Sequence, residues 1–245
     1  MISSTSSKII LFFILSFASL GLLADQDYPK VRVVTEEGYP INYTSETTGE
    51  VTGFATEFLR VVLDQAGVKY DIKTYSWTRA FKIANEEPNV LIYSMARTKE
   101  REQNFNWLYE IMTLNYFLFG QSERSKEFTN MSDFRNYQVA VVAGSVTQKY
   151  LEQDGYENLV LAQDYQQLNS LVRRGRVDFI ASSEFAMKSF VRKFDYTEQF
   201  FKPYQSLNYV EIDLYFALSK GSDPKLVEVL TSLFEKNKQK LVIPR

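Results

Sequence analysis

NVLIYSMARTKER, residues 89–101, joins two opposite chemistries without a spacer. NVLIYSM (89–95) is a continuous apolar run, the pattern of a strand covered on both faces, and such strands belong to parallel sheets flanked by helices. ARTKER (96–101) is polar and too short to be core, and it carries Arg97 and Arg101 four positions apart. Open α/β sheets bind ligands beyond the carboxyl ends of their strands. The two guanidinium groups therefore read either as a solvated helix face or as a site for an anion.

The flanking sequence alternates strands and helices. KVRVVT (30–35) reads as a strand, followed by a loop around Tyr39-Pro40 and a turn at TTGE (47–50). From Phe54, residues Phe58, Val61 and Val62 follow helical spacing, and Gly67 is a natural stop. VKYDIKTY (68–75) alternates as a strand and WTRAFKIAN (77–85) reads helical. This β-α-β-α-β order implies a mainly parallel sheet with helices on both sides. After a polar break, QSERSKEFTN (121–130), the pattern restarts. Strands are expected at 137–144, 158–162 and 176–182, and helices at 145–155, 164–175 and about Glu184 to Phe194. Two α/β units result, joined by the apolar segment LNYFLFG (114–120). The tail PKLVEVLTSLFEKNKQ (224–239) is an amphipathic helix with Leu226, Val229, Leu230 and Leu233 on one face.

The totals remove whole classes of function. The 245 residues are 45% hydrophobic and 15% aromatic, enough for a substantial core. A formal net charge of −2 offers no basic field for nucleic acid. With no Cys and no His, disulfides, Cys- or His-based zinc sites, Cys nucleophiles and Ser-His-Asp arrangements are excluded. At the N-terminus, Lys8 precedes the apolar run IILFFILSFASLGLL (9–23), short for a membrane span and of the length of a signal-peptide core. Small residues Gly21 and Ala24 close it, so residues 1–24 are expected to be a cleaved export signal, with the mature chain starting near Asp25.

Five blocks in order carry a family resemblance: GYPINY (38–43) with VTGFATEF (51–58), MARTKER with F-x-W (95–107), VAVVAGSVTQKYL (139–151), LVRRGRVDF (171–179) and LYFALSKGSDPKL (214–226). Together they resemble the family 3 extracellular solute-binding proteins over nearly all of the mature chain. The resemblance implies a two-lobed α/β fold, the type II periplasmic binding fold, with a hinge and a ligand cleft between the lobes. Lobe 1 would hold residues 25–114 and a return over 212–245, lobe 2 residues 118–205, and the hinge residues 115–117 and 206–211. It implies a periplasmic, monomeric protein without cofactor or metal. Such a protein captures a small anionic or zwitterionic ligand by lobe closure and hands it to an inner-membrane permease.

The family's site residues fall on named positions. Arg101 closes the T-x-x-R motif that clamps a ligand carboxylate, a task suited to a planar, permanently charged fork. Arg97 is either a second clamp or a scaffold for the loop. Ser94 and Ala96 sit at the strand exit, and Ala96 can offer only its backbone. Ser145 starts a helix whose N–H groups favour an anion, and it also suits an ordinary N-cap. Tyr39 matches the aromatic that packs over the ligand, and Trp77 is core or cleft wall. The family's acidic partner for the ligand ammonium falls on Ser183, beside Glu184. A serine supplies no charge, so either Glu184 takes over or the ligand lacks an α-ammonium there. Two other readings share the fold: a cyclohexadienyl dehydratase using Glu184 as general acid, and a ligand-sensing input for a membrane receptor.

Overall fold

The computed structural model describes residues 28–124 and 133–244. The expected export segment lies outside these residues, as do residues 125–130 of the polar break. In the first unit, strands β1 (Val31–Thr35), β4 (Tyr70–Thr74) and β5 (Val90–Ala96) pair in parallel with β1 in the middle. Helices α1 (Phe54–Gln65) and α2 (Trp77–Glu86) connect them, and a short hairpin of β2 (Tyr43–Thr44) and β3 (Val51–Thr52) precedes α1. In the second unit, β7 (Val139–Val142) lies between β8 (Leu159–Ala162) and β9 (Phe179–Ser183), again in parallel. Here α3 (Val146–Gln153) and α4 (Tyr165–Arg173) make the connections and α5 (Glu184–Lys193) follows β9.

The units share one eight-stranded sheet, ordered β4-β1-β5-β10-β6-β9-β7-β8. Two long strands make this possible, β6 (Phe105–Gln121) and β10 (Phe201–Ser219), which run antiparallel along each other. At one end β10 pairs with β5, and at the other β6 pairs with β9. LNYFLFG is thus the second half of a long strand, not a plain connector. The sequence hides this because register shifts interrupt the β6–β10 ladder, and each one resets the in–out alternation. The widest shift sets residues 207–210 of β10 opposite Tyr116 alone.

Strand β5 is covered on both faces, as its apolar run demands. Val90, Ile92 and Met95 enter a core with Trp77, Ala80 and Ala84 of α2. Leu91, Tyr93 and Ala96 enter the opposite core with α1 and the C-terminal helix α6 (Pro224–Lys236). The alternation skips one residue, Ser94, which has φ 57° and no partner in the β10 register between Tyr93 and Met95. That bulge turns Ser94 out of the ladder. Entry into α1 depends on Gly53, at φ 120°, where a Cβ would stand 2.4 Å from the Ile41 carbonyl oxygen.

Helix α6 locks the returning chain onto the first unit. Phe234 is fully buried, with ring centroids 4.7 Å from Phe216, 5.6 Å from Phe58 and 5.9 Å from Tyr109. Just beyond the helix, the side-chain amides of Asn237 and Gln65 exchange two hydrogen bonds of 2.9 and 3.2 Å. Phe234→Ala is expected to cost about 3–5 kcal/mol of unfolding free energy, read from the urea midpoint of the intact chain.

Candidate functional site

Two adjoining cavities of about 100 Å³ each lie between the units, at the carboxyl ends of β1, β5 and β7. Each has room for several water molecules and so for a small solute. Glu36, Ser94, Tyr116, Tyr165, Ala186 and Leu214 line both, so they form one cleft with two compartments. The first adds Trp77, Ala96, Arg101, Ser145 and Thr147. The second adds Tyr39, Ile41, Ser183, Phe185 and Lys193, with Phe190 and Phe194 behind them.

Arg101 reaches the cleft by a tight turn. Its backbone N–H donates to the Thr98 carbonyl at 3.0 Å, so T-K-E-R folds back over the end of β5. The guanidinium lies over the rings of Trp77 and Phe81, 4.9 Å from each centroid, and one N–H donates to the Ala96 carbonyl at 3.0 Å. Among the described residues it makes no ion pair. Burial lowers its pKa to about 10, against the raising influence of Glu100 and Glu36. A cation is therefore drawn out of water with most of its donors unspent.

Glu36 is the second charge in the cleft. Burial pushes its carboxyl up to about 7, and the Arg101 charge only partly offsets this. Its position is fixed by buried Asn42, whose amide donates to the Glu36 carbonyl and, at 2.9 Å, to Thr35 Oγ1. The Ser94 hydroxyl donates to the Asn42 side-chain carbonyl, so the β5 bulge and the end of β1 are tied through one residue. Neighbouring Glu37 accepts from the Thr44 backbone N–H and hydroxyl, so its carboxylate is already engaged.

The second unit faces these charges with hydroxyls and a helix start. Ser145 caps α3, accepting from Gln148 N–H at 3.2 Å. Tyr116 is held with its hydroxyl beside Thr147, and burial raises it to about 12; Tyr165 is pushed up further by burial and by Glu36. The units touch across the cleft mouth. Trp77 Nε1 donates to the Gly144 carbonyl at 3.1 Å, Lys149 pairs with Glu100 at 2.6 Å, and Phe54 meets Phe185 edge-on at 6.0 Å. Gly144, at φ 71°, permits this approach, since a Cβ there would meet Thr78 Cγ2 at 3.2 Å.

The sequence-derived candidates divide. Arg101, Ser94, Ala96, Trp77 and Ser145 converge on the first compartment, and Tyr39 and Ser183 line the second. Arg97 lines neither. It holds Glu102 with bonds of 2.9 and 2.6 Å, lies over Trp107 and Tyr215, and is raised by the Glu102 hydrogen bond. Glu184 is exposed at the first turn of α5 and lines neither compartment. Ser183 is buried and caps α5 by accepting from Ala186 N–H at 3.1 Å. Sequence reading missed Glu36, Tyr116 and Tyr165. Glu36 follows a buried strand directly, as Arg97 follows β5, and that shared signal could have found it. Tyr116 lay inside the segment read as a connector.

The sequence pattern of the bacterial extracellular solute-binding proteins, family 3, matches residues 31–241. No curated protein sequence matches the chain. Solved structures of similar fold include the substrate-binding protein of an amino acid ABC transporter, at a TM-score of 0.73 and 17% identity over 86% of this chain and 94% of that one. An L-arginine-bound amino acid ABC transporter substrate-binding protein from Streptococcus pneumoniae has a TM-score of 0.73 and 16% identity over 86% and 89%. A histidine kinase sensor domain similar to periplasmic binding proteins has a TM-score of 0.73 and 15% identity over 87% and 93%. These identities speak to the fold alone; the match over residues 31–241 speaks to kinship. The chain belongs to the bacterial extracellular solute-binding proteins, family 3.

Proposed function

We propose that the protein captures a small carboxylate-bearing solute outside the cytoplasm, closes over it, and delivers it to an inner-membrane ABC permease. The observation that carries this reading is Arg101, a desolvated guanidinium stacked on two rings, with one hydrogen bond and no ion pair among the described residues. A ligand carboxylate supplies the missing partner through two parallel bonds. From the opposite unit, Ser145 and the first N–H groups of α3 hold the same anion, so the ligand ties the lobes together. Glu36 then faces a ligand ammonium in place of the uncharged Ser183. The β6–β10 ribbon serves as the hinge, bending where its register breaks between Ser206 and Glu211. The family and the solved neighbours of similar fold favour a binding role, and we read the protein as a carrier.

Ligands are to be identified by the rise in melting temperature across a panel of amino acids and small carboxylates, since binding to the folded state alone stabilises it. For the ligand so found, Arg101→Ala should cost at least about 2 kcal/mol of affinity, because the bound carboxylate is left unpaired. Arg101→Lys should restore only part of it, since a point charge lacks the fork. Calorimetry reads both, and wild-type binding by Arg101→Ala overturns the cleft assignment.

Glu36 makes binding and stability depend on pH in opposite senses. Its folded carboxyl, at about 7 against a usual 4.5, holds a proton more tightly than in the unfolded chain. Without ligand, the contribution of Glu36 to stability is fully present below about pH 4.5 and is lost as pH rises towards 7. A ligand ammonium favours the ionised form, so affinity for amino acids should rise over the same window, with proton release on binding below pH 7. Glu36→Gln should flatten both trends, as melting curves and calorimetry in buffers of different ionisation enthalpy will show.

Export is expected to remove residues 1–24. N-terminal sequencing of the chain from a periplasmic fraction should begin near Asp25, and full-length chain in the membrane pellet speaks against it.

A further inference from the structure

We infer that the cleft selects an amino acid with a bulky apolar side chain, seated in the second compartment, and that Lys193 turns cationic side chains away. The inference rests on the reading that Arg101 holds the ligand carboxylate, and it adds where the remainder of the ligand goes. The two compartments are chemically unequal. The unspent charges, Arg101 and Glu36, lie in the first compartment and at its junction with the second. Beyond that junction the walls are Tyr39, Ile41, Phe185, Phe190 and Phe194.

These walls are set in place. Tyr39 packs 4.8 Å from Tyr43, Phe185 meets Phe54 edge-on, and Phe190 lies 4.9 Å from Phe194. Several of the polar groups lining this compartment are already committed. Ser183 accepts from Ala186 N–H, and Ser189 donates to the Phe185 carbonyl at 3.0 Å. Glu37 is held by Thr44, and the Asn42 amide serves Thr35, Glu36 and Ser94. A polar side chain entering between the Phe185, Phe190 and Phe194 rings meets few spare partners, whereas an apolar one packs against them.

Beside the Glu36 and Glu37 carboxyl groups, this compartment is lined by one cation, Lys193. It is the last residue of α5, exposed, lines this compartment and makes no ion pair among the described residues. Its ammonium opposes a guanidinium or a second ammonium at the far end of a ligand. Selectivity here comes from repulsion as well as fit. The solved relative bound to L-arginine shares the fold; the residues of this compartment point to a different side chain.

The test is calorimetry on the mature chain with L-phenylalanine, L-leucine, L-alanine, L-arginine and 3-phenylpropionate. Phenylalanine or leucine should bind about tenfold or more tightly than alanine, the scale on which apolar pockets discriminate, and more tightly than arginine. 3-Phenylpropionate should bind more weakly than phenylalanine, because it lacks the ammonium. Lys193→Glu should raise the ratio of arginine to phenylalanine affinity by about tenfold, roughly the worth of one reversed charge near a protein surface. Tighter binding of arginine than of phenylalanine by the wild-type chain overturns the inference. If alanine, arginine and phenylalanine bind alike and all weaken in Arg101→Ala, the carboxylate reading stands and this one falls. If none of the five binds, this inference falls, and the carboxylate reading is decided by Arg101→Ala with the ligand found in the wider panel.

Discussion

The whole architecture hangs on one antiparallel ribbon. Strands β6 and β10 are the only strands among the described residues that run through both α/β units, and the remaining strands add to their outer edges. Because the ribbon is continuous, the carboxyl ends of β1 and β5 on one side and of β7 and β9 on the other meet across a common gap. Because its register breaks between Ser206 and Glu211, the ribbon is weakest in hydrogen bonds where it passes from one unit to the other. A cleft and a break in the ladder thus follow from the same pair of strands.

The cleft holds two opposite charges that do not pair. Arg101 and Glu36 are both shifted towards neutrality by burial, and each moderates the other without a direct ion pair. Joined, they would neutralise each other and leave little for a ligand. Rings beneath Arg101 and the Asn42 network beneath Glu36 keep them in place at some cost to the fold. On the proposed reading, the same separation suits a zwitterion, which brings both complements at once. Exposed pairs such as Lys149–Glu100, by contrast, are screened and contribute little; their place at the cleft mouth matters more than their energy.

Much of this was legible in the sequence where burial and function leave opposite marks. NVLIYSM reads as a covered strand because both faces of β5 are apolar, and the polar turn after it reads as a site because nothing about a core calls for T-K-E-R. The order of strands and helices in each unit follows from spacing alone. The long strands were harder to see. In β6 and β10 the bulges reset the period-2 pattern, so LNYFLFG looked like a linker and Tyr116 went unread. Arg97 and Arg101 are equivalent by type and position; only the turn from Thr98 and the reach of Glu102 send one inward and the other outward.

The bulge at Ser94 shows how local irregularity shapes the cleft at the end of a regular strand. With unbroken alternation, Met95 and Ala96 would each face the opposite core. The residue at φ 57° shifts that phase. It lets Met95 stay in the core beside α2 and frees the Ser94 hydroxyl for Asn42. It also brings the Ala96 carbonyl to Arg101. Asn42 in turn fixes the Glu36 backbone, so a single skipped residue in β5 couples the placement of both charges. A left-handed serine costs backbone energy that glycine would not. Glycine would relieve that strain but lose the hydroxyl on Asn42, which argues that the strain is kept for the hydrogen bond.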